Sequence, residues 1–302
     1  MAIKIVLSRK GCDTVTGKIA SPIFENSFFS IPIPVNQKES EAYNKHQANI
    51  DYNLKYEYNS ILDEGKINII DNIYPGWLDE NKFCHYDPCF KDGEGYIGQC
   101  GPNATYLKNA FTGEDKSTVI FLFFGRFHEV IKESDKYKLN PETSDIHMIW
   151  GYLIVNERIC NNDIKEKYKW HPHSADYYSN QDNVNTKNNP NYLFKGNGRI
   201  LPYDKQRILT FLEQRKNNKP TAMSIWDKKN FCKQSKPGKD LPFQIVGERV
   251  NSASDTKNEL YLKGQWQELI MTDNDECVAF LTNLNLKCIL DQIPSLNKNS
   301  KS

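Results

Sequence analysis

The sequence lacks several features that would assign a function directly. It has no apolar run of about 18 or more residues, which excludes a membrane-spanning helix. It has no CxxC pair, so a structural zinc site is not expected. It has no GxSxG elbow, and the glycines do not have the spacing of a phosphate-binding P-loop. These absences remove the commonest hydrolase and nucleotidase signatures.

The chain also lacks an excess of charge of one sign. It has 39 Lys and Arg against 38 Asp and Glu, a net charge of +1, so any contact with nucleic acid must come from a local patch. The N-terminal apolar stretch is too short for a signal peptide. We therefore expect a cytoplasmic protein whose eight cysteines are reduced thiols, with no membrane partner.

Three apolar segments predict buried strands. Ile3–Leu7 is short and β-branched, 119–125 is the most apolar stretch, and 147–155 resembles it. We expect the last two to be adjacent antiparallel strands. Gly125 and Gly151 interrupt them and indicate bulges or close backbone approach.

The remaining segments predict a mixture of elements. Extended edges or loops are expected at 21–23 and 30–34, a helix within 39–70, a long loop over 179–198, and helices over 204–215 and 277–290. The fold class we predict is α+β, a mixed and mainly antiparallel central β-sheet with peripheral helices. Residues 1–293 would form one compact unit, followed by a polar tail at 294–302.

The first group with chemical potential follows the first predicted strand. Arg9 and Lys10 can bind phosphate, and Asp13 can act as a base. The alternative is a turn in which Asp13 is a cap and both cations are solvated.

Two further groups contain histidine. His85 and Asp87 are two residues apart, which suits an acid/base pair, two metal ligands or a simple Asp-Pro turn. His171 and His173 would share one face of an extended chain, to bind a metal or to recognise a phosphate or a base edge. His147 is the first residue of a predicted buried strand, and taken by itself it is interpreted as a core or edge histidine.

Residues 205–239 contain ten Lys and Arg against two acidic residues, with Phe211, Trp226 and Phe231 interleaved. Cations with aromatic side chains are typical of surfaces that hold unpaired or flipped nucleotides. The alternative is a solvated lysine-rich face. The candidate nucleic-acid-binding residues are Arg207, Arg215, Lys216, Lys228, Lys229 and Trp226.

Several short motifs occur together in one order along residues 3–270. They are Ser8–Asp13, Pro22-Ile23, Ser30–Pro34, His85–Pro88, Gly98-Gln99, 121–127, His147 with 150–153, His171–His173 and Gly264-Gln265. With them the chain resembles the third nucleotide-modification-associated domain family of bacteria and phages. The chain departs from the family pattern at Cys12, Cys89, Arg126 and the Trp266-Gln267 pair. Because the carboxylate usual at position 89 is absent, Asp13 and Asp87 are the main carboxylate candidates.

The resemblance implies a nucleic-acid or nucleotide substrate carrying a modified base. Our first hypothesis is a DNA glycosylase-type hydrolase that removes a modified nucleobase from phage DNA in antiviral defence. The alternatives are a transferase that builds a hypermodified base and a non-enzymatic reader of modified bases. The catalytic candidates are Asp13, Asp87, His85, His171 and His173, and the substrate-binding candidates are Arg9, Lys10, Gln99, Arg126, His147 and Gln265. No metal and no cofactor is predicted.

Overall fold

The structure is a computed structural model. It describes residues 2–35, 56–100, 104, 107, 117–174, 190–212, 223–231, 244–246, 250–255, 259–264 and 268–293. Within these ranges, none of the helices has the length and apolar character needed to cross a membrane.

The strands, in chain order, are β1 (Ile3–Arg9), β2 (Ser21–Phe24), β3 (Ser27–Phe28), β4 (Ile33–Pro34), β5 (Tyr56–Glu57), β6 (Phe83–His85), β7 (Cys89–Lys91), β8 (Glu94–Cys100), β9 (Thr118–Glu133), β10 (Lys136–Leu139), β11 (Ile146–Cys160), β12 (Asn191–Ile200), β13 (Ile225–Asp227), β14 (Gln244–Val246), β15 (Val250–Asp255), β16 (Glu259–Gly264) and β17 (Glu268–Met271). The helices are α1 (Tyr58–Ile61), α2 (Glu64–Ile73), α3 (Trp77–Glu80), α4 (Asn161–Lys167), α5 (Asn274–Asn283) and α6 (Lys287–Leu290), with 3₁₀ turns at Pro172–Ser174, Lys205–Arg207 and Lys228–Asn230.

One large mixed sheet organises the fold, in the order β14-β17-β1-β9-β11-β12-β8-β7. The β1–β9 and β2–β9 pairs are parallel, whereas β17–β1, β9–β11, β11–β12, β12–β8 and β8–β7 are antiparallel. The small three-stranded sheets β4-β6-β5 and β13-β16-β15 lie outside it. The α+β class predicted from the sequence is thus confirmed.

Both faces of the large sheet are covered. Alternate residues of β1 point to opposite faces, so Leu7 packs in the cluster that contains Phe280 of α5, while Val6 packs with Phe121 and Phe123. A third cluster joins β5, β6 and helices α1 to α3. Burial on both faces explains why β1, β9 and β11 read as continuous apolar runs.

The predicted strands are confirmed, and β9 and β11 are antiparallel neighbours. The ladder is irregular between Ile149 and Gly151, as expected of a bulge. At Gly125, a Cβ atom would lie 2.7 Å from the backbone oxygen of Lys10, so this glycine permits close approach. The extended segment at 21–23 is found in β2, and the end of the segment at 30–34 is found in β4. The sequence predicts a helix within 39–70: α1 and the first part of α2 lie there, and residues 39–55 are outside the described part of the chain.

The loop predicted for 179–198 is wrong for its last part. Residues 191–198 belong to β12, a strand between β8 and β11. The glycines of this segment resemble those of a loop, but here they are required because neighbouring backbones pack closely. A Cβ atom on Gly196 would lie 1.9 Å from the oxygen of Ile154. Residues 175–189 lie outside the described part of the chain.

The helix predicted over 204–215 is also wrong for the described residues 204–212, and residues 213–215 lie outside the described part of the chain. After the 3₁₀ turn at Lys205–Arg207 the chain is extended, because the Leu209 amide donates to His147 and Ile208 forms a bridge with Met148. The predicted C-terminal helix is divided into α5 and α6, with Asn285 between them in a left-handed conformation at φ 55°. The tail at 294–302 lies outside the described residues, and the single-domain boundary at 293 stays a prediction.

Candidate functional site

Asp87 is the centre of a buried polar cluster. It follows β6 and precedes β7, and its side chain is 1% exposed. Lys10, immediately after β1, donates from Nζ to Oδ2 at 2.8 Å, and the Gly98 amide of β8 donates to Oδ1 at 2.8 Å. Burial by itself raises the pKa of Asp87, but Lys10 and the neighbouring histidines outweigh it and hold that pKa well below its usual range. Asp87 is therefore a carboxylate.

Three histidines surround this carboxylate. The 3₁₀ turn at Pro172–Ser174 places His171 Nε2 3.5 Å from Asp87 Oδ1 and His173 Nε2 3.9 Å from Oδ2. His85, the last residue of β6, has its ring centroid 5.3 Å from that of His173. Burial lowers the pKa of His85 to about 4 and that of His173 to about 3, so both rings are neutral at neutral pH. The HxD and HxH pairs predicted from the sequence thus converge, although the HxH pair lies in a turn and not in a strand.

His173 is held in one orientation. Its Nδ1 atom lies 3.0 Å from Asn191 Oδ1, and the Asn191 amide group donates to the His173 backbone oxygen at 2.8 Å. Because the Asn191 oxygen accepts, Nδ1 of His173 carries the proton and Nε2 has the lone pair. The ring lies against Gly98, where a Cβ atom would be 2.2 Å from two ring carbons.

Glu268, the first residue of β17, is a functional candidate that the sequence reasoning missed. It pairs with Ser8 of β1 and is 2% exposed. Gln99 Nε2 donates to Glu268 Oε1 at 2.5 Å, and Ser8 Oγ donates to the same oxygen at 3.3 Å. Burial raises the pKa of Glu268, although Lys10 opposes this. The available signal was an acidic residue opening an apolar strand, Glu268–Met271.

Five buried side-chain atoms of the described residues have no hydrogen-bond partner. Three of them are His171 Nε2, Glu268 Oε2 and Trp150 Nε1, and the other two are Arg207 Nε and Asn230 Nδ2. A Cβ atom built on Gly125 would lie 2.7 Å from the Lys10 backbone oxygen and 3.5 Å from Trp150 Nε1. Buried polar groups are normally paired, so unpaired atoms of this kind call for an explanation such as a catalytic role or a bound ion.

Asp13, which we predicted as catalytic, caps the turn that it begins. Its Oδ1 accepts from the amides of Val15 and Thr16, and its Oδ2 lies 3.4 Å from an Arg9 guanidinium nitrogen. The second buried acidic residue whose pKa Lys10 and Asp87 influence is thus Glu268, and the turn-capping interpretation of Asp13 fits its contacts.

The predicted substrate-binding residues divide between two regions. Lys10 and Gln99 belong to the cluster around Asp87 and Glu268. His147 packs on the opposite face of the sheet, where its Nδ1 accepts from Trp226 Nε1 at 3.0 Å. Arg126 is bound to Asp145. Gln265 lies outside the described residues.

The predicted nucleic-acid-binding stretch needs correction. Trp226 has no exposed surface and packs against Phe124 in the core, so it cannot stack on a base. Arg207 is also buried, and it bonds to the Pro202 oxygen and faces Asp204. Lys229 is 80% exposed and pairs with Asp227. Arg215, Lys216 and the side chain of Lys228 lie outside what the structure describes.

One trio in the cluster has metal-ligand character. His85, Asp87 and His173 each offer one ligand atom, and these atoms lie within 4.8 Å of one another. Two imidazoles and a carboxylate are a ligand set for divalent transition metals.

Comparison with known proteins gives one match. A family model described as nucleotide modification associated domain 3 matches residues 4–272. No curated protein and no solved structure matches the chain.

Proposed function

The chain belongs to the nucleotide modification associated domain 3 family, and from that premise we propose that it is an enzyme that hydrolyses the N-glycosidic bond of a modified base in DNA. The cluster around Lys10 would be its active centre. The bond joins a sugar carbon to a base nitrogen, and its cleavage passes through a cation-like sugar. Such a reaction needs a carboxylate on one side and a proton donor for the departing base.

The observation that carries the proposal is the opposite character of two buried carboxyl groups, Asp87 and Glu268, whose pKa values Lys10 lowers in both cases. Asp87 is held ionised by Lys10 and Gly98. Glu268 has a raised pKa because it is buried, and one of its oxygens has no hydrogen-bond partner in the described structure. Carboxyl groups whose environments drive their pKa values apart are typical of acid/base pairs.

In the proposed reaction, Asp87 and Glu268 have different roles. Asp87 would stabilise the sugar cation and accept a proton from the attacking water, with His171 beside it. The water oxygen bonds to the sugar carbon as the carbon–nitrogen bond breaks. Glu268, in its protonated form, would donate to the leaving base, and solvent would restore both protonation states. The products are a free base and an abasic site.

The site is interior, so a base in duplex DNA would have to leave the stack to reach it. Trp150 Nε1 and Gln99 would then be polar contacts to that base. Removal of modified bases from incoming phage DNA is the biological role that we propose for this activity.

The test is incubation of the full chain with DNA containing a panel of modified bases, followed by quantification of abasic sites and free base. We expect D87N and E268Q to lower the rate by about 10²- to 10⁴-fold each, as is usual for acid/base groups. D135N removes an exposed carboxylate in the turn between β9 and β10 and should leave the rate unchanged.

The same assay separates the alternatives. A mass gain on DNA that depends on an added donor would indicate a transferase. Selective binding of modified DNA, with no chemistry and no effect of D87N, would indicate a reader. Absence of abasic sites on every modified DNA would overturn the proposed hydrolase.

A further inference from the structure

We infer that His85, Asp87 and His173 form a binding site for a first-row divalent transition-metal ion. The inference goes beyond the proposed reaction and does not depend on it, because metal binding can be measured without substrate. The ligand atoms are already grouped within 4.8 Å. Ligands bonded to such an ion at about 2.1 Å stand roughly 3–3.5 Å apart, so a closure of about 1–2 Å would complete the site.

The orientation of His173 is the first argument. Asn191 fixes the proton on Nδ1, which leaves the lone pair of Nε2 near Asp87 Oδ2 at 3.9 Å. A cation placed between this lone pair and the carboxylate oxygen would be bound by both, as Lys10 already binds that oxygen. A carboxamide oxygen that accepts from the far nitrogen of a histidine is also the usual support of a metal-binding imidazole.

His171 has a different part in this arrangement. Its Nδ1 accepts from the His173 backbone amide at 3.2 Å, so its Nε2 carries the proton. That atom lies 3.5 Å from Asp87 Oδ1 without forming a hydrogen bond, and it cannot act as a ligand in this tautomer. His171 therefore lies beside the three ligands without being one of them.

Lys10 competes with the ion. Its ammonium group occupies Asp87 Oδ2 at 2.8 Å, and a metal bound to that oxygen would displace or repel it. In the proposed reaction, such an ion would bind the attacking water next to Asp87.

The experiment strips the full-length chain with a chelator and titrates it with Zn²⁺ by calorimetry and with Co²⁺ by visible absorption. We expect one ion per chain, bound without the thiolate charge-transfer band that the exposed Cys160 and Cys288 would give. H85N and H173N should each weaken binding by more than about 100-fold, because losing a ligand costs more than losing an outer partner, which costs about 10–100-fold.

The other variants separate ligands from neighbours. H171Q should weaken binding only about tenfold, and K10M should strengthen it because the competing cation is gone. H128A is the matched control, since it removes a partly buried histidine that pairs with Asp145 elsewhere and should leave the affinity unchanged.

A second readout uses the unmodified chain, in case the variants do not fold. Zn²⁺ should raise its melting temperature and shift the ¹⁵N resonances of two histidine Nε2 or Nδ1 atoms. Absence of binding to the stripped chain, or affinities that are equal in wild type, H85N and H173N, would overturn the inference. Such a result would leave the abasic-site assay unaffected, so the two proposals fail separately.

Discussion

The imidazole of His173 lies directly against the Cα atom of Gly98, so close that a Cβ atom there would be 2.2 Å from two ring carbons. The amide of the same glycine donates to Asp87 Oδ1. Gly98 thus positions two members of the cluster. It leaves space for the His173 ring, and its amide holds Asp87 by a hydrogen bond. Close packing against His173 therefore requires the glycine of the Gly98-Gln99 motif.

The variant G98A should therefore displace the His173 ring. Overpacking of this kind costs about 1–3 kcal/mol, and the ring is anchored by Asn191, so it cannot rotate away cheaply. We expect a lower melting temperature together with lost abasic-site activity. G65A, where the nearest atom is the Asp63 carboxylate at 3.3 Å in a helix, is the control and should be neutral or slightly stabilising. A G98A protein with unchanged stability and activity would contradict this packing.

Glu268 should make stability depend on pH. Its pKa is raised in the folded state by burial, so the folded chain favours the protonated acid. This contribution is present below the unfolded pKa of about 4.3 and is lost as the pH rises through the folded pKa. E268Q, which cannot ionise, should gain stability relative to wild type as the pH rises from about 5 to about 9. Urea unfolding across this range measures the difference. If the unfolding free energies of E268Q and wild type changed in parallel with pH, ionisation of Glu268 would not destabilise the folded chain.

His128 and Asp145 form a separate pair whose pH dependence has a different sign for each partner. The Asp145 hydrogen bond raises the pKa of His128, and His128 Nδ1 lies 2.7 Å from Asp145 Oδ1. The charged pair stabilises the fold below the unfolded histidine pKa of about 6.5 and weakens as the pH rises through the raised pKa. Asp145, with its pKa lowered, loses its contribution only in acid.

The D145N variant should then cost about 1–2 kcal/mol near pH 6 and less near pH 9, where only the Arg126 bond is lost. Denaturant unfolding at both values tests this. Equal losses at the two pH values would show that His128 stays neutral in the folded chain.

Trp226 should behave as a core residue and not as a nucleic-acid contact. W226F keeps the aromatic packing against Phe124 but removes the hydrogen bond that Trp226 Nε1 donates to the buried His147 Nδ1. We expect a loss of about 1–3 kcal/mol in unfolding free energy. The salt dependence of DNA binding should not change, because no phosphate contact is removed. A changed salt slope with unchanged stability would restore the interpretation of Trp226 as a binding residue.

Local sequence was sufficient for the central strands. Ile3–Leu7, 119–125 and 147–155 were identified because strands buried on both faces must be apolar at every position. The same reasoning failed at β12, where asparagine and glycine resemble a loop. There, glycine is needed because neighbouring backbones approach closely, which depends on the strand's partners and not on its own residues.

The sequence by itself indicated which histidines lie near Asp87, since HxD and HxH place imidazoles and a carboxylate close together in the chain. Only the tertiary structure decided that Glu268 is buried beside Ser8 and Gln99, within the electrostatic influence of Lys10 and Asp87, because β17 pairs with β1 over a long separation in sequence. It also decided that Trp226 is in the core. Side-chain spacing along a strand fixes a face, whereas the choice of neighbour depends on which strands pair, and no local pattern records that choice.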